Sequence, residues 1–463
     1  MIGIVSYGFY LPIWRITTKE IASVWGKNYL EIENSLLVKE KTVASVDEDS
    51  LTMAFESSSL ALKNFPDKKE KIEFVFFGSE TPPYAVNPAS TILAEFLGLK
   101  NEYLGSDHQF ACKAATGALI SGLGLIKSNL FEYGLVVASD KATGKPHDAL
   151  EYTAASASVA LIIGKKNVAL EIIDQQSFSS DTPDFWRREG IRYPSHGGRF
   201  TGKPSYFYHI NQASKILFKK TNLKPKDFSY AVFHMPNGKF PQEVAFGLGF
   251  EKKQIEKGVV ASDKATGKPH DALEYTAASA SVALIIGKKN VALEIIDQQS
   301  FSSDTPDFWR REGIRYPSHG GRFTGKPSYF YHINQASKLL LKKTNLKPKD
   351  FSYAVFHMPN GKFPQEVAFG LGFEKKQIEK SLVVSYLGNS YTASALMGLI
   401  SVLEEAKTGD LIFFCSYGSG AGSDAFVFKV TENLEKVRVS FKSLVENKKY
   451  ITYPTYLKFM GMI

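Results

Sequence analysis

The chain has two cysteines in 463 residues, and one of them, Cys112, opens a run of small and apolar residues, DHQFACKAATGALISGLGL, from Asp107 to Leu125. Ala, Gly or Ser at 111, 114, 115, 117, 118, 121, 122 and 124 predicts a helix that can pack deep inside a domain. A thiol in the first turn of such a helix feels the positive end of the backbone dipole. That favours the thiolate, the form needed for nucleophilic catalysis. The competing expectation is an inert cysteine buried beside packing alanines.

Glu80 has a comparable place. It follows the β-type run Phe74–Phe77 and lies in GSETPPY (78–84), a loop stiffened by two prolines. A carboxylate there can act as a base if its surroundings desolvate it. Among the nine histidines, His234 and His357 end apolar strands and enter a Pro-Asn-Gly turn, where side chains of α/β folds project into crevices. His147, His270, His196, His319, His209 and His332 fall in polar loops or helix starts and are expected to be surface or hydrogen-bonded residues; His108 is expected to be structural. Cys415 lies in a strand and is assigned to packing. No spacing of ligands suits zinc, so no metal is expected. SYGSGAGS (416–423) is glycine-rich but is not a Walker sequence.

These residues need a layered α/β scaffold. Residues 3–7 read as a strand, Lys19–Trp25 as a helix capped by Thr18, Leu51–Asn64 as one capped by Ser50, and Ser90–Leu97 as another. Further on, a strand is expected at 382–386, a helix at Ala393–Ala406 and a strand at 411–417. A hydrophobic content of 44% suffices for a large core. The net charge of +9 is scattered among acids: it is compatible with a polyanionic small ligand, while no clustered patch points to nucleic acid. No apolar run approaches a membrane span, and the N-terminus lacks the features of a signal peptide. Two cysteines exclude a disulfide framework. A soluble protein of a reducing, cytoplasmic compartment is expected.

The chain also repeats itself. Residues 136–257 and 259–380 match at an offset of 123, differing only at Ile216/Leu339 and Phe218/Leu341. Each copy has a helix-like DALEYTAASAS, a VALII strand, an aromatic and charged loop and a closing YAVFHM strand. One block of 123 removed from 463 leaves 340 residues, so one copy is redundant to a single fold. Local contacts form most readily, which favours a crossover between halves. The expected division is 1–175 as an N-terminal half, 176–298 as the redundant segment and 299–463 as a C-terminal half.

Taken together, GIVSYGFYLP (3–12), GSETPPYAV (78–86), FACKA (110–114), DALEYTA, DTPDFWRRE with HGGRFTG, FHMPNGKFP, GNSYT (388–392), SYGSGAGSDAF (416–426) and the closing YITYPTYLKFMGMI resemble archaeal-type 3-hydroxy-3-methylglutaryl-CoA synthases of the thiolase superfamily. The resemblance implies a thiolase-like fold, two similar α/β halves in five layers (αβαβα), plus the redundant copy. It implies condensation of acetyl-CoA with acetoacetyl-CoA and water, in the mevalonate route to isoprenoids. Cys112 would carry the acetyl group, Glu80 would act as base, and His234 or His357 would protonate the ketone oxygen. Thr153/Thr276, Thr201/Thr324, Asn389 and Ser419 would contact the acyl group, and Arg199/Arg322 and Lys239/Lys362 would hold coenzyme A. No cofactor is implied beyond the coenzyme A thioesters that are substrates. A homodimer is implied, with association to an acetoacetyl-CoA thiolase and a small acyl-CoA-shuttling protein; neither nucleic acid nor membrane is. Ala115 departs from the family, which generally has Gly there. The alternatives are a ketoacyl-synthase-III-like condensing enzyme, against which Glu80 argues, and an inactive scaffold that binds acyl-CoA-handling partners.

Overall fold

A computed structural model describes the chain apart from residues 143, 189, 190, 192, 256–283, 285, 288, 289, 306, 312–316, 447–451, 453 and 456–463, and apart from the side chains of 199 and 444. It divides into two units. The first comprises 1–271, 302–324 and 419–422, and the second the remainder.

The first unit is built on β1 (Gly3–Tyr10). A hairpin of β2 (Trp14–Thr17) and β3 (Glu40–Val43) encloses α1 (Thr18–Val24) and α2 (Tyr29–Leu36), and is followed by α3 (Ser50–Lys63), β4 (Ile72–Gly78), β5 (Tyr84–Ala85), α4 (Ala89–Phe96), β6 (Leu104–His108), α5 (Ala114–Lys127), β7 (Tyr133–Lys141), β8 (Ser156–Gly164) and β9 (Leu170–Glu171). The sheet order is β6-β4-β7-β8-β1-β9. β4 runs parallel to both β6 and β7; β8 turns back antiparallel between β7 and β1. Alternation along β4 sorts two cores. Val75 and Phe77 pack with Leu51, Ala54 and Leu93 of α3 and α4. Phe74 and Phe76 pack with Ala118, Leu123 and Ile126 of α5. Two caps lie one residue earlier than expected. Thr17 accepts from Glu20 N at 3.1 Å, and Asp49 forms a reciprocal capping box with Thr52. Asp49 has the stronger acceptor and leaves Ser50 to bond inward to Thr81 O at 2.6 Å.

The rest of the first copy forms a small hairpin of β10 (Phe185–Trp186) and β11 (Ser195–His196), then α6 (Tyr208–Thr221) and α7 (Phe240–Leu248). The strand expected at Tyr230–Met235 does not form there: Ala231 N donates to Gln254 O, and among the described residues no strand pairs with this segment. The helix expected over DALEYTA shortens to a single turn at Ala149–Tyr152 capped by Asp148. Its counterpart in the second copy lies outside the described residues.

The later residues give β12 (Leu293–Ser302), β13 (Phe308–Arg311), β14 (Ser318–His319), α8 (Tyr331–Thr344), β15 (Tyr353–Phe356), α9 (Phe363–Leu371), the short α10 (Lys375–Ile378) and α11 (Val384–Leu387), α12 (Ser394–Leu403), β16 (Leu411–Cys415) and β17 (Gly422–Val430). The second unit's sheet has the order β12-β17-β16-β15, with β15 and β16 parallel. On one face, Ile333, Ala336 and Leu340 of α8 pack with Phe356, Phe373 and Phe413. On the other, Ala395, Leu399 and Val402 of α12 pack with Val355, Ile412 and Phe414. The strand expected at 382–386 is instead helical. Only Val383 is fully buried there, so nothing rewards the two-sided burial that a parallel-sheet strand needs.

Candidate active site

Parallel strands end on the same side, and the first unit uses that edge. Glu80 follows the end of β4, and Cys112 follows the end of its neighbour β6. The two strands stay in register to Gly78 opposite His108, and Ser79 N donates to His108 O at 3.3 Å. The same edge receives Asp140 from the end of β7, and Thr153 lies three residues before antiparallel β8, whose first residue Ser156 pairs with Lys141. Asp140 Oδ1 accepts from Ser79 Oγ at 2.8 Å, Glu80 N at 2.8 Å, Thr81 N at 3.0 Å and Thr81 Oγ1 at 2.7 Å. It therefore fixes the backbone that presents the Glu80 carboxylate. Sequence reading missed Asp140; the available signal was an acid directly after a buried strand, next to the candidate edge. Arg187 of the first copy donates to Glu80 O at 3.2 Å, and β13 of the second copy pairs with β5, four residues beyond Glu80.

Cys112 stands just before α5, not in its first turn. Ala111 has φ 42°, and the turn closes through Lys113 N to Phe110 O at 2.9 Å and Ala114 N to Ala111 O at 3.0 Å, so helical geometry begins only at Ala114. A non-glycine residue in the left-handed region stores strain, a recurrent feature of reactive turns. The thiol is exposed, at the N–H end of a 14-residue helix. Gly78 is required here: a Cβ on it would lie 2.5 Å from Ala115 Cα, so glycine lets α5 descend onto β4. Ala115, the departure from the family pattern, spends its methyl group on that contact. His108 packs its ring 4.8 Å from that of Phe76.

The second unit repeats the logic. His357 follows β15, next to the end of parallel β16. Its N donates to Cys415 O at 3.0 Å, and its carbonyl accepts from Tyr329 OH at 2.7 Å. Burial lowers its pKa to about 4, so the imidazole is neutral at physiological pH. Burial pushes the Cys415 thiol up to about 12, which makes it a packing residue. Asn389 is buried and accepts from Tyr391 N at 3.0 Å.

His234, the first copy's equivalent of His357, is exposed. Lys239 and Lys362 are exposed at the starts of α7 and α9. Thr201 and Thr324 bond within their own loops, to Gly198 O at 2.8 Å and Gly321 O at 2.9 Å. Arg322 is exposed, Arg199 has a described backbone only, and Thr276 lies outside the described residues. Ser419 precedes Gly420, whose φ of 82° and N–H bond to Asp307 Oδ1 at 2.7 Å shape the glycine loop.

Compared with known proteins, the chain is 36% identical over 465 residues to the hydroxymethylglutaryl-CoA synthase of Methanosarcina barkeri, covering 100% of this chain and 99% of that protein. It is 35% identical over 460 residues to that of Methanopyrus kandleri, covering 99% and 96%. The chain belongs to the hydroxymethylglutaryl-CoA synthase family. Residues 341–430 also match the 3-oxoacyl-[acyl-carrier-protein (ACP)] synthase III C-terminal family. Among solved structures it is similar to MvaS in complex with 3-hydroxy-3-methylglutaryl coenzyme A, at 17% identity and a TM-score of 0.44, covering 99% of this chain and 91% of that one. As a member of the synthase family it has a thiolase-like fold, and both of its units are α/β. Among the described residues, no helix is long and apolar enough to cross a membrane.

Proposed function

We propose that this chain condenses acetyl-CoA with acetoacetyl-CoA and water to 3-hydroxy-3-methylglutaryl-CoA, through an acetyl thioester on Cys112. One observation carries the reading. In a chain of this family, an exposed thiol and a carboxylate follow the ends of adjacent parallel strands, and the carboxylate's backbone is pinned by Asp140. The Cys112 sulfur attacks the thioester carbonyl of acetyl-CoA; the new S–C bond replaces the bond to coenzyme A, which leaves as the thiol. Glu80 then takes a proton from the acetyl methyl, and the enolate carbon attacks the ketone of acetoacetyl-CoA. His357, neutral with one ring N–H, hydrogen-bonds the ketone oxygen and passes that proton to the new alkoxide as its ring regains the proton that Glu80 removed, so the protons balance. Water finally cleaves the Cys112 thioester.

In this reading Thr153, Asn389 and Ser419 contact the acyl portion, with Thr276, Thr201 or Thr324 according to the copy used. Lys362 and Arg322, or Lys239 and Arg199, meet the phosphates of coenzyme A. The surplus stretch falls within 176–298 and ends before β12 (Leu293–Ser302), which belongs to the second unit's sheet. The protein works in the cytoplasm as a homodimer, with an acetoacetyl-CoA thiolase and a small acyl-CoA-shuttling protein as partners. A ketoacyl synthase that condenses by decarboxylation needs no carboxylate base, so Glu80 favours the synthase reading.

Glu80→Ala tests the division of labour. Acetyl-Cys112 should still accumulate with acetyl-CoA, while turnover with acetoacetyl-CoA falls about 10²–10⁴-fold. Loss of the thioester in that variant would remove Glu80 from the role of base.

A further inference from the structure

We propose that the two copies compete, within one chain, for a single docking place on the second unit's sheet, so that the α6–α7 segment exchanges with the α8–α9 segment. Internally the two segments are already the same. Tyr206 OH donates to His234 O at 2.6 Å as Tyr329 OH does to His357 O at 2.7 Å. Gln254 Nε2 reaches Pro225 O at 2.9 Å and Gln377 Nε2 reaches Pro348 O at 2.8 Å. The ring pair Phe228–Phe250 is 6.0 Å apart and its twin Phe351–Phe373 is 5.9 Å; Phe233–Phe250 at 5.9 Å matches Phe356–Phe373 at 5.8 Å.

The difference lies outside the segments. α8 buries His332, Ile333, Ala336, Ser337 and Leu340, whereas α6, with the same residues at 209, 210, 213, 214 and 217, buries none. Phe413 of β16 stands 5.1 Å from Phe373; in the first copy Phe218 stands 6.1 Å from the equivalent Phe250. The first copy is thus a preformed piece whose apolar face lacks its sheet, and the one surface known to fit that face is where its twin now sits. Preorganisation removes most of the ordering cost of docking. The only changed positions, Leu339 and Leu341, are partly buried in the docked copy, so Ile216 and Phe218 can take their places at little cost. Tethering in one chain favours exchange in cis over capture by a second molecule. The lead-in is also the same in sequence: KKNVA at 165–169, directly after β8, recurs at 288–292, just before β12.

Hydrogen exchange read by mass spectrometry can follow both helices, because Phe218 against Leu341 gives peptides 208–218 and 331–341 different masses. Ile333→Asp should strip protection from the α8 peptide and raise it about 10-fold or more in the α6 peptide, while the Leu411–Cys415 peptide stays protected. Ile210→Asp should leave α8 and β16 protected, and the double variant should expose β16. If Ile333→Asp exposes β16 with no gain in α6, the exchange does not occur. A gain in α6 that scales with protein concentration and brings dimers would overturn exchange in cis. Loss of α8 protection in Ile210→Asp would show that α6 supports α8 and does not compete with it. None of these readings depends on catalytic activity.

Discussion

The two copies set nearly one sequence in two surroundings, and the outcome differs by element type. Helices and hairpins form in both: α6 and α8 have the same limits relative to their copies, and Phe185 pairs with His196 as Phe308 pairs with His319. Strands differ. LEIIDQQSFS is a ten-residue strand at Leu293–Ser302 beside β17, yet at Leu170 only two residues join β1. YAVF pairs with β16 as β15 but forms no strand at Tyr230–Phe233. A helix closes its hydrogen bonds locally, whereas a strand needs an edge, and the edge is not written in the strand's own residues.

The largest way to break this comparison is to remove what only the docked copy touches. Phe413 is fully buried among Phe351, Phe356 and Phe373 and lies outside the repeat. Phe413→Ala should cost about 3–5 kcal/mol in chemical denaturation of the second unit, whichever copy is docked. A cost below about 1 kcal/mol would mean that the docked surroundings contribute little.

Deleting Val136–Gly258 joins Leu135 to Val259 and leaves one copy. The shortened chain should stay soluble and unfold at higher denaturant, gaining up to about 4 kcal/mol because a 123-residue loop no longer has to close. Aggregation of that chain would show that both copies are needed by the fold.

A smaller effect separates His357 from His234. His357 titrates near 4 when folded and near 6.5 when free. Below pH 6.5 the unfolded chain therefore takes up a proton that the folded chain refuses. Stability is complete above pH 6.5 and declines by roughly 1.4 kcal/mol per pH unit down to about pH 4. His357→Gln should flatten this part of the pH–stability curve most, and His234→Gln should flatten it less, because desolvation lowers the His234 pKa in the same direction.

Much of the first unit was legible in the sequence, because β4, α3, α4 and α5 carry their own periodicity and the two prolines after Glu80 mark the end of a strand. The place of Glu80 and Cys112 on one edge follows from parallel pairing, which strand–helix alternation implies. Asp140 was not legible: an acid after VVAS reads as solvated until the 79–81 backbone is seen to converge on it. The helical 382–386 run misled because apolar residues alone do not say whether both faces will be covered. The Cys112 turn also escaped, since a left-handed alanine leaves no mark in composition.

The central claim is that Cys112 is the nucleophile that carries the acetyl group. Treatment with acetyl-CoA, rapid acid quench and peptide mapping tests it directly, with the buried Cys415 as internal control. The account predicts a thioester acetyl group on the Cys112 peptide alone, lost in Cys112→Ala and discharged by acetoacetyl-CoA. An unmodified Cys112, with product still formed by the Cys112→Ala chain, would contradict it.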